Sequence, residues 1–596
     1  MTSRAIRIGG ASGFWGDSGI AAPQLIAGGA LDYLVFDYLA EITMSILARA
    51  RAKDPRAGFA RDFVSLVEQH HHDLRDKKIK IISNAGGVNP LACAELLRER
   101  LAMRGSPLKV AAILGDDVLG MADSLRERGV SDMFSEAPFP EAALSANAYL
   151  GATPIAAALA HGADIVVTGR CVDSAVTLGA CIHEFGWTDR DLDALAGGSL
   201  AGHIIECGAQ ASGGIHTDWA RTGDWANIGY PIAEVSPDGS FLVSKPPGTG
   251  GLVSVGTVSE QLVYEIGDPS AYLLPDVTCD FTQVEIGAAG SNQVRVTGAK
   301  GRDPTDFYKV SVTYEDGFRI GMLLTVVGFD AVAKARKVGE AVVRRCEAIL
   351  EGTQCAPFTE VSLEVIGAEE GFGGVLDRSP REAMIKLAAK HPARSALELL
   401  LREFTSTGTS MAPGISGMGG NRPKVSPVIR LFSCLVPKAQ IHATVAIDGT
   451  KVQVRGARAG GFVHHSEAPL QIAKTRAPLG PFVPLIALAW ARSGDKGDNA
   501  NIGVIARRPE YLSFIRATLT ENRVQEVFRH YLDGTVRRFD LPGINGLNFV
   551  LQAVLGGGGV ASLRNDPQAK SYAQILLHQP IAVPELLATE LSGFEP

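Results

Sequence analysis

The chain lacks paired cysteines. Its eight cysteines, at 93, 171, 181, 207, 279, 346, 355 and 434, are scattered, and no two form a C-x-x-C pair. That spacing argues against a disulfide framework or a structural zinc site and fits a reduced, cytoplasmic protein. No stretch reaches the ~18 uninterrupted apolar residues of a membrane helix. The segment Met1 to Gly10 has no continuous apolar run before its glycines, so no signal peptide is read. Basic runs are also missing, and a formal net charge of -7 argues against nucleic acid or an anionic membrane as partner. Nor is there a G-x-G-x-x-G, Walker, H-E-x-x-H or G-x-S-x-G motif, so no dinucleotide, P-loop, zincin or serine-hydrolase site is read. His70-His71-His72 does not change this, because consecutive helical residues point in different directions and cannot converge on one ion. No metal site is predicted, and a divalent ion held by carboxylates stays open without a ligand motif.

What the chain has is glycine, 67 of 596 residues, mostly in short clusters at predicted strand ends. The first half alternates strand and helix: strands at Ala5–Ile8, Leu31–Phe36, Ile79–Ile82, Val110–Leu114 and Ile165–Thr168, with helices through Pro23–Ala27, Phe59–Arg75, Leu91–Met103 and Val118–Arg128. Short strands separated by longer helices predict an α/β fold with a parallel sheet over about residues 1–185. An α+β lobe is expected over about 186–470. Within it strands are read at Phe241–Lys245, Val253–Val255, Val284–Ile286 and Val310–Tyr314, and helices at Ala331–Leu350 and Pro380–Phe404. The proline-bearing stretch 471–483 reads as a linker. A small α+β domain then fills 484–596. Its strands are expected at Leu485–Trp490, Ile502–Ala506, Val536–Phe539 and Tyr572–Leu577, its helices at Arg508–Tyr531 and Asn545–Leu555.

Ligands of parallel sheets bind at the C-terminal strand ends, so the post-strand loops are the candidate site. Gly10, Ser12 and Gly13 lie in the first loop, where backbone N–H groups could hold an anion, and Asp17 closes it. Asn84, Gly86 and Gly87 follow the third strand. Arg170 could clamp a carboxylate, with Asp173 as either a catalytic carboxylate or simply its ion-pair partner. Glu206 is the first candidate for a general acid or base, and Ser212 follows it among small residues. Cys207 reads as a buried, inert thiol rather than a nucleophile, although His203 and His216 are near in sequence. Lys245, Gly248 and Gly250 form a cationic loop suited to a carrier phosphate, or a turn set by two prolines. Asp37 and Glu41 are further pocket carboxylates or a surface pair. In the last domain, Ala491–Ile502 packs Arg492, Asp495, Lys496 and Asp498 around two glycines. Arg492 and Lys496 either reach the substrate or lock the two domains together, with locking favoured.

These segments occur in order: Gly9–Ser18, Asp32–Met44, Ser83–Pro90, Thr168–Ser174, Glu206–Gly214, Lys245–Gly251 and Ala491–Ile502. Together they resemble the acyclic terpene utilisation (AtuA-like) family over nearly the full length. The resemblance implies a large core over 1–470 and a ferredoxin-like C-terminal domain. It also implies a place in breakdown of branched or acyclic-terpene-type acids through CoA thioesters. The step implied is an acetate-releasing retro-aldol cleavage of a 3-hydroxy acyl-CoA, or a hydration needing similar groups. A non-catalytic ligand-binding or assembly subunit is the alternative, and a phosphate-dependent transferase or hydrolase a further one. A small-molecule substrate and a homo-oligomer complete the expectation, and no cofactor is assigned.

Overall fold

The computed structural model describes residues 4–373, 380–417, 422–463, 480–559 and 561–594. The N-terminal strands are β1 (Ile6–Gly10), β2 (Tyr33–Phe36), β3 (Lys80–Ser83), β4 (Val110–Leu114), β5 (Ala143–Ala148) and β6 (Ile165–Thr168). Five of them pair in parallel in the order β1-β2-β3-β6-β4. Antiparallel strands widen this to eleven. On the β1 side lie β7 (Ile232–Val235), β8 (Phe241–Ser244), Gln293–Thr297 and Glu285–Gly290. Beyond β4 lie Ala443–Ile447 and Thr450–Val454. The main sheet therefore takes strands from both sides of residue 185.

Strand residues alternate between two apolar layers, as the two-residue period of a strand requires. Leu34, Phe36, Ile81 and Val167 face one layer, where α1 (Ala21–Gly28) and two further helices pack. The connection from β2 to β3 carries α2 (Glu41–Lys53) and α3 (Arg61–Asp76), and α4 (Pro90–Met103) follows β3. Phe63 of α3 and Leu97 of α4 belong to that same layer. Tyr33, Val35, Ile82 and Val166 face the other layer. After the short α5 (Ala122–Glu127), it is filled by α6 (Thr153–Ala160), α7 (Ala175–Phe185) and α8 (Leu192–Ile205), through Ile155, Val176 and Leu200. So β3 sends its following helix to one face while its neighbour β6 sends α7 to the other. The two loops part there, at the topological crevice where ligands of such sheets usually bind, and the cavity beside Arg170, bounded by Glu41, Asn147 and Tyr149, is about 10 Å³.

The second sheet is built on one long strand, Phe307–Val327, which pairs with β5, Ser426–Pro437 and Glu382–His391. The expected helix Pro380–Phe404 is instead the strand Glu382–His391 followed by the helix Arg394–Thr405. Ala383, Ile385, Leu387 and Ala389 alternate inward along that strand, and Pro392 breaks it from the helix. The expected strand at Val253–Val255 is the start of a helix, α9 (Val255–Leu262), because Ser254 and Thr257 form a reciprocal capping box.

The predicted linker 471–483 lies largely outside the described residues, and Phe482–Pro484 already pairs with Pro580–Ala582. In the C-terminal domain four antiparallel strands form one sheet, in the order Ala489–Lys496, Asn499–Ala506, Gly546–Leu551, Val536–Leu541. Leu485–Leu488 is a helical turn, and the charged segment expected as a loop is itself strand up to Lys496. Asn545–Leu555 is not helical. Asn545 in the left-handed region turns the chain so that Leu547, Phe549 and Leu551 alternate into the core. Tyr572–Leu577 is a helix, and Asp566 accepts the Lys570 and Ser571 N–H groups in the turn before it. The expected single helix at Arg508–Tyr531 is broken into Leu512–Thr518 and Glu521–Val527, with Thr520 capping the second.

Candidate active site

The β2, β3 and β6 loops meet first through backbone and side-chain bonds. The Gly86 N–H donates to the Thr168 carbonyl at 3.2 Å, and Gly87 N–H to Asn84 O at 3.2 Å. Asn84 is fully buried. It accepts the Tyr38 N–H at 2.7 Å and donates to Asp37 Oδ1 at 2.5 Å, so it positions the Asp37 turn. Ser12 donates to the Asp37 carbonyl at 3.0 Å. Burial drives the Asp37 carboxyl well above the usual carboxylate range, and the charge of Asp173 adds to this while Arg170 opposes it.

Arg170 is held from several sides. Its N–H donates to buried Asp116 at 2.8 Å, and its guanidinium lies 4.1 Å from the Tyr149 ring centroid. Nη1 bonds Asp173 at 2.7 Å and the Cys171 carbonyl at 3.1 Å, while the buried Nε has no protein partner. Gly169 is obligatory beside it, since a Cβ there would lie 2.4 Å from the Asp116 carboxylate. Burial pushes Asp116 up to about 7, against the hydrogen bonds from Arg170 N–H and Asn147. Glu41, at the start of α2, accepts the Tyr149 hydroxyl at 2.9 Å. Burial works against its charge, but Lys309 and Arg170 outweigh it and bring Glu41 down to about 2.

The end of α8 supplies an acid–base pair. His203 Nδ1 lies 3.0 Å from Glu206 Oε1, and its Nε2 lies 3.2 Å from the Leu262 carbonyl. A carbonyl only accepts, so Nε2 carries a hydrogen. One further proton then sits between Nδ1 and Oε1, on either the imidazole or the carboxyl. Both side chains are almost wholly buried. Burial raises Glu206 above the ordinary glutamate value, and the bond to His203 only partly offsets this. The neighbouring Cys207 thiol is driven well up by burial and by Glu206, which suits an inert sulfur.

Other predicted site residues are engaged elsewhere. The Gly10 N–H is taken by the Pro231 carbonyl, and a Cβ at Gly10 would stand 2.1 Å from Ile205 O, so this glycine admits the end of α8. Asp17 accepts the Gly13 N–H at 2.8 Å, the Ser18 N–H at 2.6 Å and the Tyr230 hydroxyl at 3.0 Å, closing its own loop beside Gly208. Ser212 donates to the Gly229 and Ala209 carbonyls. Lys245 donates to Thr249 O at 2.7 Å, Gly250 N–H to Asn227 O at 2.8 Å, and Asn227 to Gly248 O at 3.4 Å. The cationic loop thus satisfies itself. A cavity of about 330 Å³ is lined by Asp189, Arg190, Leu192, Asp303 and Arg458 and contains none of the crevice residues. Its charges pair with one another, Arg458 with both Asp189 and Asp303. Buried ionisable groups gather instead at the ends of β2, β6 and α8, with Asp37, Arg170, His203 and Glu206.

Residues 6–447 match the model of the acyclic terpene utilisation family protein AtuA, and residues 483–582 that of the AtuA ferredoxin-like domain. The chain belongs to the AtuA family. Neither a curated protein nor a solved structure matches it. Membership associates this AtuA-family chain with acyclic terpene utilisation.

The ferredoxin-like domain of this AtuA chain docks on α9 and the segment after it. Arg492, almost wholly buried, donates to Glu260 at 2.6 Å and Gln210 at 2.8 Å. Glu260 also accepts the Thr217 N–H at 3.0 Å, and its carboxyl stays below the ordinary value because Arg492 and His216 outweigh burial. Asp218 accepts bonds from Trp490 and Arg507, Asn501 donates to Val263 O, and Asn548 donates to Ile266 O. Lys496 differs. It lies at the hairpin tip, half exposed, 3.6 Å from Glu265. Among the described residues no cluster of three or more His, Cys, Asp or Glu is arranged for a metal ion, and no helix is long and apolar enough to cross a membrane. Asp116, Tyr149, Glu260 and Glu265 are not among the residues that the sequence singles out. Only Asp116 had a visible signal, a carboxylate right after a predicted strand.

Proposed function

We propose that this AtuA-family chain is an enzyme of branched-acid breakdown that performs proton transfer on a hydroxylated acyl compound. The substrate is an acyl-CoA or its free acid. The observation that carries this reading is the His203–Glu206 pair: two buried groups share one proton at 3.0 Å, with the second imidazole nitrogen fixed on Leu262 O. Such a pair can take a proton from a substrate hydroxyl through Glu206 Oε2 and return it after the bond is broken. In a retro-aldol cleavage the 3-hydroxyl proton goes to Glu206, the carbonyl forms, and the C2–C3 electron pair becomes an enolate. That enolate needs a fixed positive group, and Arg170 is preorganised beside the crevice. A protonated Asp37, raised by burial, then supplies the proton to the new carbon acid. Hydration of an unsaturated acid would use the same groups in a different order.

Glu206→Gln tests the reading. Turnover of a 3-hydroxy-3-methylglutaryl-type thioester should fall by about 10²- to 10⁴-fold, the contribution of a positioned acid–base group. Far-ultraviolet circular dichroism and melting temperature should stay close to the parent. A variant with parental turnover would sink the assignment.

A further inference from the structure

We propose that the small cavity beside Arg170 is an ordered-water site, and that its single water accepts the Arg170 Nε–H and holds the guanidinium in place.

The cavity is made by two paired strands and the helix that covers them. Along β5 and the long strand Phe307–Val327, Asn147 lies opposite Ser311 and Ser145 opposite Thr313. The two-residue period sends Ala146, Ala148, Val310 and Val312 into the apolar core and these four polar side chains to the other face. All four are buried there, and they line the cavity together with Glu41 and Met44 of α2. Tyr149 and Arg170 complete its wall. Polar groups taken out of bulk water are normally paired, either within the protein or by bound water.

Most of these groups pair within the protein. Ser145 and Thr313 are bonded at 2.7 Å, and Ser311 donates to the Tyr149 hydroxyl at 3.2 Å. Tyr149 donates to Glu41 at 2.9 Å, and Asn147 to Asp116 at 2.9 Å. Arg170 is the exception. Its Nη1 is spent on Asp173 and the Cys171 carbonyl, while its buried Nε has no hydrogen-bond partner. The Tyr149 ring, 4.1 Å from the guanidinium carbon, keeps this group at the cavity wall.

Size and chemistry then select the occupant. A volume of about 10 Å³ is near the smallest that takes one water, and it leaves no room for a carboxylate or phosphate. A metal cation cannot accept the Nε hydrogen. A chloride would face Glu41, which Lys309 and Arg170 keep ionised. Water both accepts and donates. It takes the Nε hydrogen and returns its own to acceptors on the wall, the Glu41 carboxylate and Asn147 Oδ1 among them. With Nη1 and Nε both engaged, Nη2 is the nitrogen left to meet a ligand. That consequence rests on Arg170 being the fixed positive group of the proposed reaction; the water site does not.

The test is a high-resolution crystal structure of the full-length protein, together with two variants of Ser311 and their melting temperatures. The parent should show one peak in the cavity, within about 3 Å of Arg170 Nε and without the anomalous signal of chloride. Ser311→Ala and Ser311→Val both lose the bond to Tyr149, so the difference between them reads the cavity. Ser311→Ala should keep the peak. Ser311→Val puts two methyl groups where the serine has one hydroxyl, and should expel the water. It should then melt about 1–2 °C below Ser311→Ala, although strand propensity favours valine. No peak in the parent, or chloride in its place, overturns the inference. So does a Ser311→Val protein that has lost the water yet melts at or above Ser311→Ala. Neither readout uses turnover, so parental turnover by Glu206→Gln would overturn the acid–base reading alone.

Discussion

The glycine-rich loops Gly9–Asp17 and Lys245–Gly251 and the crevice at Arg170 use similar residues for different ends. In the loops each polar group has a partner within the same turn or its immediate packing: Asp17 with Gly13 and Ser18, Lys245 with Thr249. In the crevice, the buried Arg170 Nε has no hydrogen-bond partner and Glu206 faces His203 through one oxygen. The contrast shows that polar density after a strand marks a tight turn as readily as a site. A group becomes available to a ligand only where local geometry fails to satisfy it.

Variants can break or sharpen this contrast. The largest effect is expected at Glu206→Gln, as turnover lost without loss of fold. Next is Arg492→Met, which removes the guanidinium bonded to buried Glu260, leaves only His216 and the Thr217 N–H beside that carboxylate, and should cost about 3 kcal/mol. Denaturant titration would read it, and a loss below about 1 kcal/mol would show that the domain contact does not depend on this pair. Asp116 should shape the pH dependence of stability. Its carboxyl is raised from 3.8 to about 7 in the fold, so the folded chain binds the extra proton in that window. Stability should therefore fall by about 1.4 kcal/mol per pH unit between those values and level off above them. Asp116→Asn keeps an acceptor for Arg170 N–H and Asn147 and should remove that component from a plot of melting temperature against pH. Parallel plots for the two proteins would contradict it.

Smaller effects are expected in the self-satisfied loops. Asp17→Asn weakens one of the amide contacts and should cost about 1–2 kcal/mol of stability. Turnover measured well below the melting temperature should change little, and a loss as large as that of Glu206→Gln would move Asp17 into the chemistry. Lys245→Met should alter stability by less than about 1 kcal/mol, because a partly exposed lysine bonded within its own turn contributes little. A large rise in KM for a CoA thioester in this variant would restore the carrier-phosphate role.

Part of this was legible in the residues. The five parallel strands between Ile6 and Thr168 follow from short β-branched and apolar runs between helical stretches, whereas Ala143–Ala148, rich in alanine and polar residues, gives no such run and is a strand only against Phe307–Val327. Glu382–His391 was misread because Ala-rich, Lys-bearing sequence suits a helix, while the buried alternation of Ala383, Ile385, Leu387 and Ala389 is satisfied only against the long strand beside it. Tyr572–Leu577 suits a strand by its Tyr, Ile and Leu content, yet it is a helix whose Tyr572, Ile575 and Leu576 pack into the core of the C-terminal domain. Glu206 and Arg170 were identifiable as chemistry-bearing types after predicted elements. Tyr149 and Glu265 gave no local sign, for they enter from strands and turns far along the chain.

By itself the sequence determined the periodicities of the parallel strands, the family and the existence of a separate C-terminal domain, because these depend on local patterns and ordered motifs. Only the tertiary structure decided which charges are consumed and which remain. Arg492 and Lys496 are four residues apart on one strand, yet one is buried against Glu260 and the other stands half exposed beside Glu265. That division arises from where the strand meets α9, and no property of the two residues alone contains it.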